Sequence, residues 1–410
     1  MANKTYWASK SGDERAREIT GRLEQYSGQR FTGIHADRVI ATQRGYHGLG
    51  KNGAVSHLVS RGGVQGELSL VYTNYLRYLI QHAISRISAR RFSFEVPIEE
   101  ATYTSREQAQ VDTDTLEHFR QATDLNKKYR MALEKGYETG EGYHHICWDN
   151  SAGETHTIDD NGLPVKTGDL KVSVGSFWNV VPFDVYEHDV EIKCYLELVN
   201  KYDLAAKYPA RAEEILAAGP DLFSSYIRRQ YIYGMRPISY DEDSCVTLVH
   251  FYHDRSTVLP AGKEALILGN GCYIYDGPLS YSKVPIVKFS PSEDPITGLG
   301  YSPAFDAVGA IDAMNSLKSI AMSNQAAFGV QNIWTRDANN IGPADVRGGL
   351  RFITSIEKPE ALQLTQTPAE IFNAIESYRR DAVQLMGLND VALGIESTRL
   401  SGDAMDVLDD

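Results

Sequence analysis

The 410-residue chain is short of cysteine, of positive charge and of known catalytic motifs, and each shortage closes off a class of function. Its four cysteines, Cys147, Cys194, Cys245 and Cys272, lie far apart and form no C-x-x-C pair, so a zinc site and a disulfide framework are not expected. They read as reduced, structural thiols. Lysine and arginine total 41 against 54 acidic residues, a formal net charge of −13. A free-standing nucleic-acid binder would carry the opposite balance. The most apolar helix candidate, LSLVYTNYLRYLIQHAISRI, is interrupted by Arg77, His82 and Arg86 and reads as a buried amphipathic helix rather than a membrane span. The opening segment MANKTYWASKSGDERAR lacks an apolar core, so no secretory signal is expected. G-x-S-x-G, H-E-x-x-H and a Cys–His nucleophile arrangement are all missing, and neither a cofactor nor a metal is expected.

What is present describes an ordinary soluble chain. Hydrophobic residues make up 42% and charged residues 23%, and the length allows two or three domains with an ample core. Residues 12–28 read as a charged helix, 44–66 as a glycine-rich segment, 67–91 as a long helix and 105–138 as a second long helix. In the latter, Leu116, Phe119, Ala122, Leu125, Tyr129 and Leu133 recur near a 3.6-residue period. The texture then turns to β with GYHHICWDN, a hairpin at Asn161-Gly162, DLKVSVGSFWNVVPFDVYEHD and EIKCYLELVN. Residues 201–232 are helical, and 244–289 return to β.

Three motifs invite a chemical reading. Gly45, Gly50 and Lys51 match the first seven positions of a phosphate-cradling loop, but Asn52 stands where a magnesium-binding hydroxyl belongs, and Gly53 and Gly62-Gly63 weaken any following helix. A nucleotide-binding enzyme using Gly45–Asn52 is the alternative function, and a solvent-exposed loop or arm is the preferred reading of the segment. His144 and His145 are adjacent on a predicted strand and point to opposite faces, so they do not share one ion. The expectation is one packed and one exposed histidine. DDNG lacks the alternating ligands of a calcium loop and reads as a turn.

The last third is the most organised part. Ser302 caps and Pro303 opens a helix over GYSPAFDAVGAIDAMNSLKSIAMSNQAAF, whose surface is dominated by small residues: Ala304, Ala307, Ala310, Ala313, Ser316, Ser319 and Ala321. Strands are expected at QNIWT, LRFIT and LQLTQ. A second helix opens with the capping box Thr367-Pro368-Ala369-Glu370 and carries Ile371, Ile375, Tyr378, Ala382 and Leu385 as one apolar seam. GLNDVALGIESTRLSG is a loop, and DAMDVLDD starts another helix.

This order of elements resembles the portal, or head–tail connector, proteins of tailed bacteriophages. VPIVKFSPSEDPITGLGYSPAFDAVGAIDAMNSL is similar to the family's approach to its stem helix. TGDLKVSVGSFWNVVPFDVYEHD is similar to its wing strands, and NKYDLAAKYPARAEEI to its short wing helix. The resemblance covers about 70–410 and implies an α+β portal-type fold: an N-terminal arm or peripheral wing segment (1–65), a mixed α/β wing (66–300), a first stem helix (301–328), a small β-containing clip (329–366), a second stem helix (367–386), a tunnel loop (387–400) and the start of a helix towards a crown (401–410), the crown itself being largely missing.

By the same resemblance the chain would form a homo-oligomeric ring, a dodecamer, at one capsid vertex of a virion assembled in the bacterial cytoplasm. Double-stranded DNA would pass through its channel during packaging and ejection. The major capsid protein, the large terminase subunit and then head–tail adaptor or tail proteins would be its partners, with no membrane and no catalysis of its own. Tunnel-loop residues would be Gly387, Asn389, Asp390, Gly394, Glu396 and Arg399. Lys318, Arg379 and Arg380 would be the candidate channel-facing cations, ion-paired or solvated by default. Trp334, Arg336, Asp337, Asp345, Arg347 and Arg351 would belong to the docking surface of the clip. A smaller ring-forming head–tail adaptor is the nearer alternative. An acidic channel would repel the DNA backbone and discourage sticking.

Overall fold

The central strands in the β-rich middle of the chain bury successive residues and not every second one, as a sheet covered on both faces requires. In the computed structural model, which describes residues 6–10, 12–50, 69–89, 93–98, 102–150, 152–158, 164–183, 190–232, 244–295, 297–328, 331–335, 350–354 and 369–388, the chain is α+β. In chain order the elements are α1 (Gly12–Thr32), α2 (Ile34–Tyr46), α3 (Tyr75–Ile87), α4 (Tyr103–Ala122) and α5 (Leu125–Thr139), then β1 (Gly142–Asp149), β2 (Thr155–Ile158), β3 (Pro164–Lys166), β4 (Asp169–Ser176), β5 (Val180–Pro182) and β6 (Ile192–Asn200). Next come α6 (Lys201–Lys207), α7 (Ala212–Ala217) and α8 (Leu222–Ile232), β7 (Cys245–His253), β8 (Lys263–Leu268), β9 (Tyr273–Gly277), β10 (Ile286–Phe289), β11 (Ser292–Glu293) and β12 (Gly300–Tyr301). The last elements are α9 (Pro303–Phe328), β13 (Gln331–Thr335), β14 (Leu350–Thr354) and α10 (Ala369–Leu385). The chain divides into two units, Met1–Gln43 with Ile80–Phe305, and Arg44–Leu79 with Asp306–Asp410.

The first unit is organised by an antiparallel sheet in the order β5-β6-β7-β8-β9 and a smaller one in the order β10-β1-β4. One face of the larger sheet presents Cys194, Leu196, Val249, Phe251, Ala265 and Ile267, and these pack with Ile19 and Leu23 of α1, Val39 of α2 and Phe223 and Ile227 of α8. The opposite face carries two smaller clusters. Leu248 and Leu268 pack with Leu204 and Ile215, and Tyr195 and Tyr252 pack with Tyr143 and Ile286. Side chains two apart on a strand share a face, so this split follows directly from the run VTLVHFYH.

A buried ion pair lies within the same unit. Glu141 is 1% exposed; its carboxylate accepts from the guanidinium of Arg30, from the Tyr143 hydroxyl at 2.8 Å and from the Gly300 N–H at 2.7 Å, with Lys288 at 3.7 Å. Burial pushes its pKa up, but the charges of Arg30 and Lys288, with those two hydrogen bonds, bring it down to about 2. Beside it, α5 ends at Gly140 with φ 81°, a left-handed C-cap where a Cβ would also stand 2.6 Å from the Gly300 carbonyl oxygen.

Several sequence expectations are corrected. Of the two alternatives for 1–65, an arm or a peripheral wing segment, the arm does not hold over 12–43, because Ile19, Leu23, Phe31 and Val39 belong to the main core. The glycine-rich segment begins buried, with Tyr46 3% exposed, so its described part, 44–50, is not a solvent-exposed loop. The helix expected from residue 67 starts at Tyr75, since 69–74 are extended. The helix over 105–138 breaks in two: the Thr123 hydroxyl folds back onto the Phe119 carbonyl at 2.7 Å, and Asp124 takes the left-handed conformation (φ 51°) that short polar side chains tolerate. Its apolar period is also not a buried stripe, for Leu116 is 40% exposed. Residues 201–232 form three α-helices, interrupted at Tyr208-Pro209, where proline's fixed φ and missing N–H end α6. The hairpin strands β2 and β3 pair as expected, and the turn itself lies outside the described residues.

Candidate functional site

Helix α9 has 26 residues, about 39 Å at 1.5 Å per residue. The Ser302 hydroxyl accepts the Ala304 N–H at 3.2 Å and donates to the Tyr137 carbonyl at 2.6 Å, so the capping serine expected from sequence performs that role. Within the second unit the buried face of α9 includes Ala307, Ile311, Met314, Asn315 and Ser319. The polar members hold the extended segment 69–74 along the helix. Ser323 Oγ accepts the Ser69 N–H at 2.7 Å, Ser319 Oγ the Val71 N–H at 3.0 Å, and Asn315 Oδ1 the Thr73 N–H at 3.0 Å. Asn315 Nδ2 returns a bond to the Thr73 carbonyl at 3.2 Å. The helix therefore supplies, through side chains, the partners that an extended backbone otherwise finds in a sheet. Residues valued in the sequence only for being small carry this strap, and no local signal marks a Ser or Asn as the partner of a distant backbone.

Lys318 lies on the same stretch of α9. Its Nζ donates to Thr73 Oγ1 at 3.3 Å, and burial lowers its pKa against the opposing charge of Glu376. On α10, Arg379 Nε donates to Glu376 Oε2 at 2.8 Å, which holds the Glu376 carboxyl below its ordinary value. Arg380 is exposed. The expected seam of α10 is only partly covered: Ala382 is buried, whereas Tyr378 and Leu385 are 38% and 44% exposed. α10 then closes at Gly387 (φ 67°), with the Gly387 N–H on the Gln384 carbonyl and the Leu388 N–H on the Val383 carbonyl. Gly387 is thus a helix C-cap at the point where the tunnel loop was expected to begin.

Between the two helices, β13 and β14 run parallel, with Asn332 opposite Arg351 and Trp334 opposite Ile353. This places the candidate clip residues Trp334 and Arg351 on paired strands. Arg336, Asp337, Asp345 and Arg347 lie outside the described residues, as do Asn389, Asp390, Gly394, Glu396, Arg399 and the strand expected at LQLTQ. At the glycine-rich motif, Gly45 sits in the last turn of α2, so a helix and not a strand leads into the segment. That is the wrong approach for a phosphate-cradling loop. Lys51 and Asn52 lie outside the described residues.

The first unit contains a cleft that sequence reading missed. It has a volume of about 890 Å³. Its floor is the outer face of the larger sheet, with Glu197, His250 and Glu264; Trp148 and Lys171 on β1 and β4 form one side, and Lys207 on α6 the other. Lys207 Nζ pairs with Asp149 at 2.9 Å and Lys171 Nζ with Glu197 at 3.2 Å. Burial pushes the Glu197 pKa up, but His250 and Lys171 together bring it down to about 2. His144 and His145 do point to opposite faces, yet both are buried, at 5% and 1%, which corrects the expected packed-and-exposed pair. His144 packs edge-on against Phe289. His145 stacks on Tyr195 and is hydrogen-bonded to the Tyr252 hydroxyl at 2.8 Å, and burial lowers its pKa. Among the described residues no group of three or more His, Cys, Asp or Glu side chains has the geometry to hold a metal ion, and no helix is long and apolar enough to cross a membrane.

No protein-family model matches the chain, and no curated protein matches it.

Proposed function

We propose that the chain is a portal subunit: one member of a ring at a capsid vertex, through which double-stranded DNA enters and leaves, and on which terminase and later adaptor or tail proteins dock. The observation that carries this reading is the order of elements in the second unit. A 26-residue helix is followed by a small strand pair and then by a helix of 17 residues. Asp306 and Gly309 near the start of α9 line the same groove as Asp381 and Leu385 near the end of α10, so the second helix ends beside the beginning of the first. A stem helix, a clip and a returning stem helix would bring those two ends together, which supports the reading. Uncovered apolar side chains on the same helices support self-association. Met322 of α9 is 44% exposed, and Phe372, Tyr378 and Leu385 of α10 are 49%, 38% and 44% exposed. In a ring, the neighbouring copy covers such residues. The ATPase that drives packaging belongs, on this reading, to the terminase partner.

Negative-stain imaging of the purified protein, alone and co-expressed with its capsid protein, tests the proposal. The expected result is ring particles whose central hole admits a duplex, with Tyr378→Glu plus Leu385→Glu leaving folded monomers. Compact particles without a ring under both conditions overturn it.

A further inference from the structure

The two sheets of the first unit meet along a seam with a histidine inside it. Tyr143 of β1 and Ile286 of β10 pack there against Tyr195 of β6 and Tyr252 of β7, with Val180 of β5 in the same cluster. His145 lies two residues beyond Tyr143, on the same face of β1, and is 1% exposed. Its ring stacks on Tyr195 with 4.4 Å between centroids and meets the ring of His250 edge to face at 4.9 Å. It is also hydrogen-bonded to the Tyr252 hydroxyl at 2.8 Å. Gly175 of β4 admits the Tyr195 ring so closely that a Cβ there would stand 2.9 Å from Tyr195 Cε2. The imidazole is thus walled by rings and backbone, and a charge on it would be cut off from water.

Among the described residues, such a charge would find its facing carboxylate already taken. Glu197 of β6 serves Lys171 of β4 at 3.2 Å and His250 of β7 at 3.6 Å. Lys193, on the same face of β6, pairs with Glu191. Glu264 of β8 lies beyond Tyr252, where Ser280 and Tyr275 hydrogen-bond to it. Burial pushes the Tyr252 phenol and the Cys147 thiol up, so both stay neutral and balance nothing. Burial also holds His145 well below the ordinary histidine value of 6.5; His250 and Lys171 add to this and Glu197 opposes it. We propose that His145 is an acid-sensitive latch between the two sheets: the seam closes around the neutral imidazole and opens when the ring takes up a proton. An open seam returns the ring to water, where it binds a proton near pH 6.5, whereas the closed seam resists protonation. The latch is therefore intact above pH 6.5, and as pH falls below that value the opening constant rises by up to about tenfold per pH unit.

Thiol trapping in the full chain carrying Val180→Cys tests this. Val180 faces the seam opposite Tyr195 in register and is fully buried, whereas the native Cys194 is buried on the other face of the sheet, in the main core. Ile286→Cys, on the opposite wall, serves if the first reporter does not fold. Labelling by 4,4'-dithiodipyridine is resolved by peptide mass spectrometry and divided, at each pH, by the rate of the same thiol in the urea-unfolded chain. Between pH 7.5 and pH 5 the seam thiol should lose at least ~10-fold protection, against a ceiling of about 30-fold for one histidine, while Cys194 keeps its own. His145→Phe keeps a ring on Tyr195 without a titrating proton, and His145→Gln keeps a partner for the Tyr252 hydroxyl. Either should hold the protection of the seam constant over that range. His35→Gln removes a histidine that packs on Phe177 and Phe305 outside the seam, and should leave the acid loss in place. Equal protection of the seam thiol at both pH values, the same acid loss in the His145 variants, or loss of Cys194 protection in step with the seam overturns the proposal.

Discussion

Replacing Glu141 by Gln tests the buried ion pair in the first unit most directly. The side chain keeps its shape, but the charge facing Arg30 is gone, and because the Tyr143 hydroxyl and the Gly300 N–H bond to different carboxylate oxygens, the single amide oxygen can still accept from only one of them. The carboxyl titrates at about 2 in the fold against an ordinary 4.5. At about 1.4 kcal/mol per pKa unit, that difference is worth roughly 3 kcal/mol to folding. The pKa is depressed, so this stability is fully present above pH 4.5 and is lost as pH falls from 4.5 through 2. The variant also leaves a buried guanidinium uncompensated, which typically costs about 3–5 kcal/mol. Urea unfolding of wild type and Glu141→Gln, followed by tryptophan emission, should show a loss of at least ~3 kcal/mol at pH 7. The gap should narrow by more than half by pH 2.5. A loss below ~1 kcal/mol at pH 7, the value of an exposed pair, would refute the assignment of net stability to this pair, and so would a gap independent of pH.

Two further outcomes are expected. Burial brings His35 down to about 4 from 6.5, so its contribution is present above pH 6.5 and lost as pH falls through 4; His35→Gln should flatten the urea midpoint between those values, and an unchanged slope would assign the loss to other groups. Asn315→Ala should remove two strap bonds at about 1 kcal/mol each and raise the hydrogen-exchange rate of the Thr73 amide at least tenfold, while amides of the larger sheet remain protected.

Local chemistry was readable where it was decided locally. Ser302-Pro303 announces the start of α9, and the β character of 244–289 announces the strand over VTLVHFYH, though not that both its faces are covered. The break at Thr123-Asp124 was overrun because the 3.6-residue period continues across it, and the hydroxyl that stops the helix acts within one turn. The pairing of Arg30 with Glu141 spans 111 positions and leaves no local trace. Nor could the strap be seen, since its three rungs join positions about 250 apart. The cleft depends on two sheets and α6 meeting, so its residues look like ordinary strand polars in sequence. The contact of Lys318 Nζ with the Thr73 hydroxyl is set by the strap and is likewise invisible in sequence.

The strap also carries a limit on its own length. Each rung advances four residues on α9, about 6.0 Å, and two residues on the extended segment, about 6.7 Å. The two scales slip like a vernier, by roughly 0.7 Å per rung, so three rungs share about 1.4 Å of error between them. Hydrogen-bond distances tolerate about half an ångström either way, about 1 Å in all, so three rungs already draw on side-chain torsions and a fourth, at about 2.1 Å, would need twice the tolerance. A one-residue insertion or deletion between any two rungs, on either side, throws the remaining contacts out of phase, so this region should vary by substitution and not by change of length.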